Sequence, residues 1–245
     1  MSLKQLLKRF STISYVTLAF VLTNGVQVYG SNYDRPHEPL IHPAFRELPL
    51  GSVRPEGWLK DWCETARDGY VGHYDEYGPP FSTHLWTDKL GDDNNFEFGY
   101  EQSAYWIDGM TRLGYLLNDP FLIDKSTGYL KYVLDHQDAQ GYLGWGKGGQ
   151  TEQDWNRGAT WPHWCLNVLS RAYIARYSAT KDPAILAAMN RAYQNMTFTD
   201  FTDRRAPNVE AMLEFYSWGG RPYLKENALT QLKAIEPKKI GRAHV

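Results

Sequence analysis

The chain has 245 residues and a formal net charge of −2, from 26 Lys and Arg against 28 Asp and Glu, with no basic run or stripe. That balance excludes the electrostatic footprint of a nucleic-acid binder. Two cysteines, Cys63 and Cys165, are too few for a disulfide framework and are read as buried free thiols, a pair between them in an exported protein being the other reading. Aromatic residues make up 15% of the chain, nine of them Trp and seventeen Tyr, which serves either a packed core or a surface that stacks on sugar rings.

Residues 1–30 read as a signal peptide. Lys4, Lys8 and Arg9 form the positive region, and Ile13 to Leu22 is an apolar run too short to span comfortably. Val28-Tyr29-Gly30 before Ser31 resembles a cleavage site. The expected location is secreted or periplasmic, with no membrane span in the mature chain; an uncleaved N-terminal anchor is the other reading. Residues 31–47, with Pro36, Pro39 and Pro43, form an extended leader. Leu48 to Trp58 is loop, broken by Pro49, Gly51, Pro55 and Gly57. A helix follows from Trp58 to about Arg67, carrying Leu59, Trp62 and Cys63 on one face. Asp68 to Asn95 lacks periodicity and is expected to be a long ordered loop holding Tyr70, Tyr74, Tyr77, Phe81 and Trp86.

Helical spacing returns at Tyr100–Leu117, with Ile107, Met110, Gly114 and Leu117 on one face. It continues from Pro120 to about Asp138, with Ile123, Leu130, Val133 and Leu134. Gln140 to Asn156 is a Gly-rich loop. Two further helices are expected at Trp161–Ala179 and Pro183–Met196, and another starts over Asn208–Tyr216 before the Gly219-Gly220 break. Both helix pairs turn on the same device. Asn118-Asp119-Pro120 joins the first, and Lys181-Asp182-Pro183, 63 residues later, joins the second. Pro is tolerated in a helix's first turn, and Asp caps the N-terminus. A repeated pair of this length implies an all-α fold, an incomplete (α/α)6 toroid or barrel of antiparallel helix hairpins with long aromatic-rich loops, over residues 48–239. The last six residues, Ile240 to Val245, match one frame of a common sequencing adaptor. They are read as an artefact ending a truncated reading frame.

Such toroids present a carbohydrate-sized cup, which directs attention to three polar, aromatic stretches. Trp86 to Asp108 holds Asp92, Asp93, Glu97, Glu101 and Asp108; Gly141 to Asn156 holds Trp145, Glu152, Asp154 and Trp155; the third is Trp161-Pro162-His163-Trp164. Glycosyl transfer to water needs two carboxylates. Glu101 and Asp108 lie two helical turns apart on one face, separated by about 10 Å along the axis, which loosely fits an inverting pair. The alternative is that both only complement the helix dipole. His163 is either a general base or a local cap. Trp86, Trp106, Trp145 and Trp155 are the candidate stacking platforms. No Cys or His spacing suggests a metal site, and no cofactor is expected for the chain as it stands.

Leu48-Pro49-Leu50-Gly51-Ser52-Val53-Arg54-Pro55-Glu56-Gly57-Trp58-Leu59 resembles the N-terminal signature of the β-L-arabinofuranosidase-like glycoside hydrolases (glycoside hydrolase family 127 and its relatives). Tyr100-Glu101-Gln102 and Tyr105-Trp106-Ile107-Asp108-Gly109 resemble that group's first inner helix. Gln137 with Gly141-Tyr142-Leu143-Gly144 is similar to its Gln…Asp-Gly-Tyr-Leu turn, and Tyr177-Ser178-Ala179-Thr180-Lys181-Asp182 to its Tyr-Glu-Ala-Thr-Gly-Asp junction. The resemblance, over about residues 45–220, implies an (α/α)6 hydrolase acting on plant-type oligo- or polysaccharides. It also implies a Cys nucleophile in a zinc site, whose Cys and Glu ligands would follow residue 245 in the full-length protein. Cys165 falls where some members carry His-Glu-x-Tyr-Cys. Here the segment reads Trp161-Pro162-His163-Trp164-Cys165, a departure that points to a subgroup with another substrate. Two other readings stay open: a non-catalytic carbohydrate-binding toroid, and a polysaccharide lyase using a Tyr or His base with an Arg or Asn to neutralise a uronate.

Overall fold

The computed structural model describes residues 35–37, 48–78, 81–82, 99–137, 139, 141, 143, 160–194 and 208–239, with backbone alone for 99–100, 160–165 and 234–239. The expected signal peptide, most of the leader, the Ile240–Val245 tail, and the stretches holding Trp86, Asp92, Asp93, Glu97, Trp145, Glu152, Asp154 and Trp155 lie outside the described residues. The fold is all-α. Among the described residues there are eight α-helices: α1 (Trp58–Asp68), α2 (Tyr70–His73), α3 (Gly99–Leu117), α4 (Pro120–Asp135), α5 (Thr160–Thr180), α6 (Pro183–Gln194), α7 (Asn208–Ser217) and α8 (Pro222–Lys239). A 3-10 turn covers Tyr74–Tyr77, and a single β-bridge joins Gln137 to Leu143. None of the described helices is long and apolar enough to cross a membrane.

The junctions form for local reasons. Asn118 takes a left-handed backbone at φ 53°, and the Asp119 N–H reaches back to the Gly114 carbonyl at 2.8 Å, closing α3. The Asp119 carboxylate then accepts the Leu122 N–H at 3.0 Å, opening α4 with Pro120 in its first turn. Lys181 repeats the left-handed step at φ 54°, with its N–H on the Tyr177 carbonyl at 2.8 Å, and Asp182 caps α6 through the Ala184 N–H at 2.9 Å. Gly219 ends α7 at φ 100°, and the Gly220 N–H returns to the Phe215 carbonyl.

Contacts fix the helix directions. The Trp106 ring meets the Tyr129 ring edge-on at 5.2 Å, while Gly114 lies against Leu122 and Ile123, so α4 runs back along α3. A Cβ at Gly114 would stand 3.1 Å from Leu122 Cβ, a closeness that Gly permits. The Tyr173 hydroxyl donates to the Leu130 carbonyl at 2.9 Å, and Arg176 bonds Thr127, so α5 runs back along α4. Ser170 Oγ lies 3.1 Å from the Tyr193 hydroxyl, and the chain reverses at Lys181-Asp182, so α6 descends along α5. Tyr193 donates to Asn208 at 2.9 Å and Tyr177 packs on Trp218, so α7 points the same way as α5.

The core is shared by these six elements: Ile107 and Met110 of α3, Leu122 and Leu130 of α4, Leu166, Leu169 and Tyr173 of α5, Ile185, Met189 and Tyr193 of α6, Met212 and Phe215 of α7, and Leu224 of α8. Each such side chain contributes about 1.5–3 kcal/mol when removed from water.

Two sequence expectations are corrected, and one helix was not foreseen. Part of the stretch expected as loop after Asp68 is helical, in α2 and the 3-10 turn; Lys125 pins it to α4 by donating to the Gly72 carbonyl (2.7 Å) and Asp75 (2.6 Å). Helix α8 follows the Gly219-Gly220 break, where no helix was expected. Cys63 is a free thiol but only half-buried, because α1 buries no residue: Trp58 is 75% and Trp62 66% exposed.

Candidate functional site

Helix α3 buries Ser103, Ala104, Ile107, Met110 and Thr111 and turns a narrow strip to solvent, formed by Gln102, Tyr105, Gly109 and Arg112. Over Leu166–Thr180, helix α5 packs on α3, α6 and α7, and its Tyr173 and Arg176 reach α4. Asn167, Arg171 and Ile174 lie along its less buried side next to α3. Because α3 and α5 run in the same direction, the two strips lie side by side.

Asp108 joins them. It is buried, and its two carboxylate oxygens take two different guanidiniums: Arg112 Nε donates to Oδ1 at 2.7 Å, and Arg171 Nε sits 3.0 Å from Oδ2. Arg112 Nη2 also donates to the Arg171 carbonyl at 3.4 Å. The carboxylate is thus fully engaged, as a buried charge must be. Its arrangement is that of an anchor for two cations, and Arg112 is on the helical spacing that favours such a pair.

The other sequence candidates fall as follows. Glu101 is half-exposed in the first turn of α3, two turns before Asp108 on the same helix. Trp106 is in the core at 7% exposure; its indole N–H donates to the Val71 carbonyl at 2.8 Å, and its ring meets Phe81 and Tyr129 edge-on. His163 lies in the first turn of α5, its side chain outside the described residues, at the same end of the α3/α5 pair as Glu101. Trp86, Trp145 and Trp155 are outside the described residues. Arg112 and Arg171 were not singled out by sequence, and Tyr105 entered only as part of the Tyr105–Gly109 motif. Arg112 was detectable from its four-residue offset to Asp108, whereas Arg171 needed the packing of α5 on α3.

A second polar cluster lies at the far end of α5. Lys181 Nζ sits 3.5 Å above the Trp218 ring, and the Arg35 guanidinium packs on the same indole at 4.2 Å while donating to Glu214 (2.7 Å) and Ser217 (2.6 Å). Burial, reinforced by Arg35, pushes the Lys181 ammonium down to about 8. On the opposite flank, burial and the nearby Asp75 carboxylate push the Tyr129 hydroxyl up to about 12.

Among the described residues no three His, Cys, Asp or Glu side chains come together to hold a metal. No protein-family model, no curated protein and no solved structure matches this chain.

Proposed function

We propose that this chain forms part of an exported α/α-toroid glycoside hydrolase of the β-L-arabinofuranosidase-like kind, and that the α3/α5 strip contributes to its binding surface for plant-type glycans. One observation carries the reading. Helices α3, α5 and α7 run in one direction, while α4 and α6 return between them. That alternation is the one by which repeated helix hairpins build a toroid, the first set lining its inside. In this reading Tyr105, Arg112 and Arg171 face the cup, since Tyr105 is 44% exposed and both Arg side chains reach solvent. A phenol ring supplies a flat apolar face and the guanidiniums supply fixed donors, which together suit a polyhydroxylated ligand. Catalytic groups are not assigned to the described residues.

Affinity electrophoresis of the purified chain in gels containing arabinan, arabinoxylan or pectin tests the proposal. Retardation by at least one of these and not by dextran, weakened by Tyr105→Ala, is the expected result. Unchanged mobility in every gel overturns it.

A further inference from the structure

The Asp108 carboxylate does more than neutralise a charge: it holds two guanidiniums side by side with their outer ends toward solvent. Arg112 donates its Nε–H to Oδ1 of Asp108, while Arg171 faces Oδ2 as an ion pair, its Nε 3.0 Å away. Arg112 Nη2 is further tied to the Arg171 main chain. The remaining donors, both Nη groups of Arg171 and Nη1 of Arg112, take no protein partner among the described residues, and the side chains are 51% and 37% exposed. Among the described residues, one buried negative charge against two positive ones leaves a net positive charge at this point of the strip. Glu101, the nearest carboxylate on the same helix, is two turns away, about 10 Å along the axis. That exceeds the Debye length of about 8 Å at physiological salt, so it does not cancel the pair.

We propose that Arg112 and Arg171 form a fork for the carboxylate of an acidic sugar, so that the glycan taken by the α3/α5 strip carries uronate residues. The inference rests on the glycan reading above and deepens it. Guanidinium and carboxylate are both planar and match in two parallel N–H···O bonds, the geometry Arg offers and Lys does not. Asp108 lowers the ordering cost, because it already holds Arg112 by a hydrogen bond and Arg171 by an ion pair before a ligand arrives. Tyr105 lies on the same strip, one turn before Asp108, and is 44% exposed.

The test compares polygalacturonate with the same polymer after its carboxylates are reduced to alcohols, by titration calorimetry on the full chain. Arg171→Gln and Arg171→Lys serve as variants, and circular dichroism checks the fold. Arg171 is a surface residue, and Arg112 still neutralises Asp108 without it. The expected result is binding to the acidic polymer about tenfold tighter than to the reduced one, a preference abolished by Arg171→Gln and only partly restored by Arg171→Lys. Equal binding of the two polymers overturns the fork and leaves the glycan reading standing. Displacement by inorganic sulfate as readily as by galacturonate also overturns it, because the site would then be a plain anion site. Binding to neither of these polymers, nor to arabinan, removes both readings together.

Discussion

The side-chain amide of Gln137 donates to the main-chain carbonyl of Ala188 at 2.8 Å, across 51 residues of sequence. The same nitrogen donates to the Gly141 carbonyl at 3.0 Å, and Arg191 donates back to the Gln137 carbonyl oxygen. One amide thus ties the end of α4, the turn after it and helix α6. Gln137→Ala leaves two carbonyls short of a donor and is expected to cost about 2 kcal/mol. The midpoint of urea unfolding measures this, and an unchanged midpoint would show that water replaces the amide without loss.

Gly141, inside that knot, has φ 96°, and a Cβ there would collide with the main chain at Arg191. Gly141→Ala combines a disfavoured backbone with a clash that no side-chain rotation relieves. The expected loss is about 2 kcal/mol or more, read from thermal unfolding.

Asp108→Asn keeps the shape of the anchor and removes its charge. Both arginines are partly exposed and recover water, so the expected cost is modest, about 1–2 kcal/mol, below that of stranding a fully buried ion. Asp108→Ala should cost more, since it also opens a void between α3 and α5. Equal stability of the wild-type and Asn chains in low salt would argue that the ion pair holds nothing.

Stability should vary with alkaline pH in two steps of opposite sign. The Lys181 ammonium is depressed from 10.5 to about 8, so between those values the unfolded chain binds more protons than the folded one. Stability therefore rises through that window as pH increases, and the penalty is fully in force below its lower edge. Burial raises the hydroxyls of Tyr173 and Tyr193 above the ordinary 10, so the stability they confer is complete below that pH and drains away beyond it. The melting temperature is expected to climb from pH 8 toward 10 and then fall. Lys181→Met should abolish the climb and leave the fall.

The two left-handed corners can be probed separately. Asn118 at φ 53° occupies a conformation that Gly adopts freely and a β-branched residue resists. Asn118→Gly should be neutral or slightly stabilising, whereas Asn118→Val should cost about 1–2 kcal/mol in chemical denaturation.

What could be read from the chain beforehand was what is decided locally. The Asp119-Pro120 and Asp182-Pro183 starts announce α4 and α6, because capping and the proline ring act within a single turn. The apolar positions of α3 through α6 mark their buried faces for the same reason. Helix α8 escaped because its inward face carries Gln231 beside Leu224 and Ala228, which breaks the apolar period, and Lys225, Glu226 and Lys233 surround it. Helix α2 is four residues long, too short for any period. At the site, Asp108 was visible as a polar residue at a helical position, but its role was not. Whether a carboxylate is a reactive group or an anchor depends on the Arg171 side chain of another helix. Trp106 posed the same problem: a tryptophan among Ile107 and Met110 reads equally well as platform or core until Val71, Phe81 and Tyr129 are seen around it.

Helix α1 gives the molecule a built-in optical reporter. Trp58 and Trp62 stack on one another at 6.4 Å with their rings in water, while Trp106 and Trp218 are enclosed. Emission from the first pair should be red-shifted and quenched by iodide, and that of the second pair blue and protected. Any ligand or neighbouring segment that settles on α1 should lower the quenchable fraction, and a chain with Trp58→Phe and Trp62→Phe, in which that loss disappears, separates it from the signal of the other seven tryptophans.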